Sequence, residues 1–158
     1  MISILKKRGA QLGVVSFSSN TNALLQILNV ESASAFDKFT RSIQIGGLKN
    51  SDWPQIFRTA RFVPAVEYLQ AQRARTLLMQ SFEAALGDLD AYVCVAGGNT
   101  LAHTNLTGHP QIVVPLKDGQ ARSLVGRLYK EDVLAAIAHE VQMELGYTKL
   151  RPDLTALG

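Results

Sequence analysis

The chain has 158 residues, 16 of them basic and 13 acidic, giving a formal net charge of +3 and a pI near 9.2. A chain of this length buries roughly 70% of its unfolded surface, and 47% hydrophobic with 18% charged residues is a globular composition, not a disordered one. No apolar run approaches the ~20 residues needed to cross a bilayer, the basic residues are scattered without aromatic interleaving, which argues against nucleic acid, and the one cysteine, Cys94, excludes an internal disulfide.

Taken in order, Ile2 to Arg8 reads as a short helix stopped by Gly9. Gln11 to Phe17 reads as a strand. Ser18-Ser19-Asn20-Thr21 supplies oxygens that cap a helix from Thr21 to Leu28. A second helix is expected over Glu31 to Ile43, with Phe36, Phe39 and Ile43 on one face, ended by Ile45-Gly46-Gly47. Ser51-Asp52-Trp53-Pro54 starts another. Pro64 opens a longer helix to Leu86, whose face is expected to carry Val66, Leu69, Leu77, Phe82 and Leu86.

Asp90 to Val95 is a strand with β-branched and aromatic content. Gly97-Gly98-Asn99-Thr100 reads as a tight loop, and Leu101 to Thr107 as a short helix or an extended segment. Gln111 to Val114, closed by Pro115, and Ala121 to Arg127 are two strands joined through a turn at Lys117-Asp118-Gly119. Glu131 to Leu145 is an amphipathic helix with Val133, Leu134, Ile137, Val141 and Leu145 inward, ended by Gly146. The tail from Thr148 has no periodicity. Helices alternating with short apolar strands predict an α/β fold, a mixed sheet of about four strands flanked by helices, in a single domain over residues 1–158. Without a signal peptide pattern at Met1 to Phe17, a cytoplasmic location is the expectation.

Candidate chemistry is sparse. Cys94 lies between Val93 and Val95 and reads as a buried small side chain. Together with His103, His109 and His139 it stands at spacings no zinc motif uses, so neither metal nor cofactor is expected. Backbone amides of Gly97, Gly98 and Asn99 can face an anion or a carbonyl oxygen. Asn105 is expected to tie a turn by side-chain hydrogen bonds, and Gly108 to take a positive φ. His109 precedes proline, so it is extended and points into either a pocket or the core. His103 and His109 are the one histidine pair available for acid–base work. Tyr68 and Arg75 lie seven apart, on one helical face, where they can flank a pocket. Asp132 complements the dipole at the start of the last helix.

Three segments, Phe62 to Arg75, Thr104-Asn-Leu-Thr-Gly-His-Pro110 with the strand to Pro115, and Gly126-Arg-Leu-Tyr through Gln142, resemble in their order the C-terminal part of amidase signature hydrolases. Leu5 to Leu12 and Lys149 to Leu154 are similar to the segments that flank it in that family. The resemblance implies the scaffold of the C-terminal third of such an enzyme. It implies that Gly97, Gly98 and Asn99 border a substrate pocket with the Asn105 turn, and that an arginine of the Phe62 to Arg75 segment meets a substrate carboxylate. The family's catalytic lysine and two serines lie upstream of this part. The two Gly-Gly pairs here are followed by Leu48 and Asn99, not by serine. The resemblance therefore implies an amidase-like domain that is catalytically incompetent alone, either a remnant or one half of a split amidase whose partner is a separate N-terminal half. An alternative is a module that binds a small amide or carboxylate, or another protein, and self-associates as a homodimer over exposed strand edges. An independent enzyme using His103 or His109 is a third reading, for which the sequence supplies no nucleophile.

Overall fold

The computed structural model describes residues 1–17, 21, 24–116, 119–147 and 155. Two compact units divide the chain, Met1–Phe17 with Glu83–Gly158, and Ser18–Phe82. Among the described residues no helix is long and apolar enough to cross a membrane. The capping Ser18 to Asn20, the Lys117-Asp118 turn and most of the tail lie outside the described residues.

The unit Ser18–Phe82 is helical. α2 (Leu25–Ala35), α3 (Asp37–Arg41), a 3-10 turn (Ile43–Gly47) and α4 (Trp53–Thr59) precede α5 (Ala65–Leu86), whose last residues enter the other unit. The expected break after Leu28 is absent because neither glycine nor proline interrupts Asn29 and Val30. The chain instead turns at Phe36, whose backbone leaves the helical region with ψ 24°. The register shift puts Ile43 outward, 97% exposed, against expectation. Phe57 is buried under Phe36 and Trp53, with ring centroids 5.1 and 5.4 Å away. Asp37 ties α3 to Arg41 and Arg61.

α5 corrects a second expectation. Leu78, Phe82 and Leu86 are buried, but Val66, Leu69 and Leu77 are 64%, 58% and 67% exposed. At 3.6 residues per turn the two sets lie on opposite faces of the helix, so one apolar face cannot hold both.

The other unit is built on a sheet. α1 (Ile2–Lys7), β1 (Ala91–Val95), α6 (Gly98–Thr107), β2 (Gln111–Pro115), β3 (Ala121–Gly126) and α7 (Glu131–Leu145) follow in order. Among the described residues three strands are found, not four, in the order β1-β3-β2, and both pairings are antiparallel, so the sheet they form is not mixed. Gln11 to Phe17 forms no ladder. Val14, within it, is fully exposed. Gly13 interrupts its run of side chains, and glycine weakens a strand interior.

Alternation along the strands sorts the two sheet faces. Val114 and Leu124 meet Leu134, Ala138 and Val141 of α7 in a buried apolar cluster, with Ala91, Val93, Ile112, Ile137 and Leu145 at its margin. Gly126 lets α7 approach, since a Cβ there would lie 3.3 Å from both Cβ and Cδ1 of Leu134. Gly146 ends α7 in the left-handed region with φ 72°, the geometry glycine adopts most cheaply. Glu131 and Asp132 occupy its first turn, where the helix dipole favours acids. Lys7 and Arg8 at the end of α1 pair with Glu140 and Glu144 of α7.

Candidate functional site

The opposite sheet face carries Tyr92, Cys94, Gln111 and Ser123, and the short crossover between β1 and β2 carries α6. The expected tight loop is absent here. Gly97, with φ 90°, is the cap of α6, and Gly98, Asn99 and Thr100 form its first turn. α6 runs through Thr107, which settles the segment after Leu101 as helix. Gly108 ends it with φ 80°, as its place after the helix predicts.

Polar side chains form two connected chains across this face. Thr104 Oγ1 donates to Gln111 Oε1 at 2.7 Å, and Gln111 Nε2 donates to Ser123 Oγ at 2.6 Å. His103 Nδ1 donates to the Asn99 carbonyl at 2.9 Å. Thr107 Oγ1 donates to the His103 carbonyl at 2.8 Å, and His109 Nδ1 lies 2.9 Å from Thr107 Oγ1. On its other side, His109 Nε2 lies 2.9 Å from Glu83 Oε2, while Glu83 Oε1 is 3.5 Å from Arg127. The His109 ring has no exposed surface.

This geometry assigns protons. The His103 carbonyl can only accept, so the one Thr107 hydroxyl proton goes there, and Thr107 must accept from His109 Nδ1. Nε2 faces a Glu83 carboxylate oxygen at 2.9 Å, which accepts a hydrogen bond when that nitrogen carries a proton. Among the described residues, no buried side-chain nitrogen or oxygen lacks a partner. A closed network of this kind fixes the packing of α6 on the sheet.

Burial pushes the Tyr92 hydroxyl well above the usual tyrosine range, with the neighbouring Cys94 adding to the shift. Burial also raises the Cys94 thiol, against a lowering by the Thr100 hydroxyl. Cys94 is half-buried, with Sγ 3.8 Å from the Ser123 carbonyl. A thiol held protonated in this way is a packing group, not a nucleophile.

The seven residues expected to meet a ligand fall in both units. Tyr68 and Arg75 belong to the helical unit, where the Tyr68 hydroxyl donates to Glu31 at 2.9 Å and Gln72 bridges the two. Gly98, Asn99 and Asn105 are exposed on α6, Gly97 is half-buried at its cap, and His109 is buried. Asn105 does not tie a turn, because α6 continues past it. Thr107 holds that corner. His103 and His109 do not form an acid–base pair, as each ring bonds elsewhere. Glu83, Thr104, Gln111, Ser123 and Arg127 were not singled out from sequence. Ser123 and Gln111 stand as polar residues in apolar strands, a signal that was available. Glu83 lies 26 residues before His109 on a different element, and no local pattern links them. Among the described residues, no group of His, Cys, Asp and Glu is gathered for a metal.

No protein-family model and no curated protein sequence matches the chain. Its fold does match solved structures. An amidase is superposable with a TM-score of 0.75 at 16% identity, over 91% of this chain and 40% of that one. An s-triazine catabolic enzyme, solved as a vestigial protein complex with inhibitor bound, gives 0.64 at 15% identity, over 92% and 38%. The urea amidolyase of K. lactis gives 0.53 at 14%, over 94% of this chain and 11% of that one. The chain has the fold of part of an amidase and spans 40% or less of the length of each of these enzymes.

Proposed function

We propose that this chain is the scaffold portion of an amidase-type hydrolase, which does not cleave amides by itself and acts with a separate chain that carries the nucleophile. The observation that carries the reading is the fold match over nine-tenths of this chain to two-fifths of an amidase. The closed polar network points the same way: Ser123 is fully buried and its hydroxyl is bonded to Gln111, so it offers no activated nucleophile. The matched proteins are by name an amidase, an s-triazine catabolic enzyme and a urea amidolyase, which makes a small amide the substrate class to test. Contact with it falls to the exposed start of α6, at Gly98 and Asn99, with Asn105 one face away.

The test is complementation. The chain is assayed for ammonia release from a panel of small amides, alone and mixed with an amidase portion that carries the serine and lysine residues but lacks its own C-terminal part. No turnover alone and turnover in the mixture is the expected result. Turnover by this chain alone overturns the reading, and so does a mixture that stays inactive with every catalytic portion tried.

A second reading, a binding module that self-associates, is favoured by the apolar stripe of Phe62, Val66, Leu69 and Leu77, all more than half exposed. It expects a dimer by light scattering at tens of micromolar. A monomer there removes it.

A further inference from the structure

α5 carries a second apolar stripe, and this one is open to solvent. Val66, Leu69 and Leu77 are more than half exposed, and Phe62, in the turn just before the helix, is more exposed still. At 3.6 residues per turn, Val66, Leu69, Arg73 and Leu77 fall within an arc of about 80° and run for about 17 Å along the axis. The opposite face carries the buried Leu78 and Phe82. A helix of a soluble protein ordinarily turns its apolar stripe to the core, so a further stripe directed outward marks a contact surface.

One charge interrupts the stripe, and it narrows the occupant. Arg73 is exposed at the centre, where its guanidinium donates to Gln70 Oε1 at 3.5 Å and has no carboxylate partner among the described residues. The unit Ser18–Phe82 holds seven Lys and Arg against four Asp and Glu, so the formal charge of +3 of the whole chain resides in it. A second copy would bring another Arg73 and another excess of positive charge to the same face, and like charges repel. A lipid surface takes helices whose cations flank an unbroken apolar face, whereas Arg73 would have to be desolvated in mid-stripe. A helix with a carboxylate in the middle of its own leucine stripe covers the apolar residues and pairs with the arginine at once.

We propose that the outward face of α5 is the docking surface for an acidic amphipathic helix of another polypeptide. The leucines of that helix lie on Val66, Leu69 and Leu77, and a glutamate or aspartate between them meets the Arg73 guanidinium. The apolar residues supply contact area. Arg73 sets partner choice and register, as a polar group does within a coiled-coil seam. Nothing in this depends on the amidase-type reading, and it differs from the self-associating one in requiring a different chain on the stripe.

The probe is a capped, fluorescently labelled helical peptide, AQLAQLAQAEAQALAQLA, with leucines at the spacing of the stripe and one central glutamate. It is compared with versions carrying glutamine or lysine at that place. Binding to the full chain is followed by fluorescence anisotropy and by the backbone amide shifts of residues 65–80. The glutamine version should bind roughly two- to fivefold more weakly than the glutamate peptide, the range of one exposed ion pair, and the lysine version more weakly again. Arg73→Glu should invert that order, and Leu69→Ser with Leu77→Ser should weaken all three peptides. Each substitution is at an exposed position, and an unchanged circular dichroism spectrum shows the fold intact. The proposal is overturned if the three peptides bind alike, if their order survives Arg73→Glu, or if no α5 shift appears at millimolar glutamate peptide. It is also overturned if the free chain is a dimer in which residues 66–77 are already shielded from solvent, because a second copy is then the occupant, or if anionic vesicles shift α5 and the peptide does not.

Discussion

One sheet separates two chemistries. Towards α7, the side chains of β1, β2 and β3 are apolar apart from Arg122, and Val114 and Leu124 interlock with Leu134 and Val141. Towards α6, the same strands present Tyr92, Gln111 and Ser123 beside the buried Val125, and hydrogen bonds run from the sheet to α6. The difference shows how stability and specificity divide within one small unit. An apolar cluster gains from area whatever its detailed geometry. A buried polar network repays its desolvation only when every member is satisfied, so it selects a single arrangement of α6. Variants on the two faces should therefore fail in different ways.

The largest effect is expected on the α7 face. Leu134→Ala removes a buried side chain from the cluster and should destabilise by about 2–5 kcal/mol in urea unfolding. Gly126→Ala should cost about 1–3 kcal/mol by pushing on the same leucine. Combined, the two should cost clearly less than their sum, because the truncated residue 134 makes room for the added methyl. Additive effects would place Gly126 elsewhere than against Leu134.

On the α6 face, His109→Leu and Glu83→Leu should each cost about 1–3 kcal/mol, since each leaves a polar partner unsatisfied. The double variant should be milder than the sum by about 0.5–3 kcal/mol. The network also makes a spectroscopic prediction. Nitrogen-15 shifts of the His109 ring should report a proton on Nδ1, the donor to Thr107. A ring protonated at Nε2 alone would break the donor assignment through Thr107.

These two faces were not equally legible in the sequence. Most of the α7 face was legible, because Leu134, Ile137, Val141 and Leu145 repeat at helical spacing and a periodic apolar pattern is a local signal; Val133, also expected inward, stays outside the cluster, and Ala138, not expected, is part of it. The terminators Gly9 and Gly146 were legible for the same reason: each acts on its own turn. The error along α5 came from adding up apolar residues without their angles, which joined Val66 and Leu69 to Phe82 across the helix. The fourth strand failed because composition reports that a segment can be extended, not that a neighbour is there to bond it. The polar face was hidden because its partners come from four elements. His109 was open between core and pocket until Glu83 and Thr107 were seen beside it, and no spacing in the chain encodes that meeting. Where the resemblance pointed to Asn105, the work of that corner is done by Thr107 two residues on.

Alkaline pH tests the α6 face selectively. Burial holds Tyr92 and Cys94 protonated in the fold above the ordinary ranges of a tyrosine hydroxyl and a thiol. A raised folded value means that the stabilisation is complete below the unfolded value and is lost as pH rises past it. Stability should thus hold to about pH 9 and then fall as the unfolded chain releases protons the folded chain keeps. Tyr92→Phe should flatten that fall when melting temperature is followed between pH 8 and 11. An unchanged slope would mean that Tyr92 is not protected by burial.

Acid pH tests the opposite side, with the smallest effect. Lys7, and then Arg8, hold the Glu144 carboxyl below the usual carboxylate range. A lowered folded value contributes stability above the unfolded value and loses it as pH falls through the folded one. The pairs join α1 to α7 at the surface, where solvent and salt screen them. Glu144→Gln should therefore reduce stability slightly at pH 7, leave it unchanged near pH 2, and lose its effect in 1 M salt. Asp37, also lowered, by Arg61 and Arg41, sits in the helical unit and would contribute acid sensitivity that Glu144→Gln leaves in place. If the Gln variant instead altered the alkaline limb, the sheet would not insulate its two faces, and the α1–α7 contact would have to be treated as part of the same network as Tyr92.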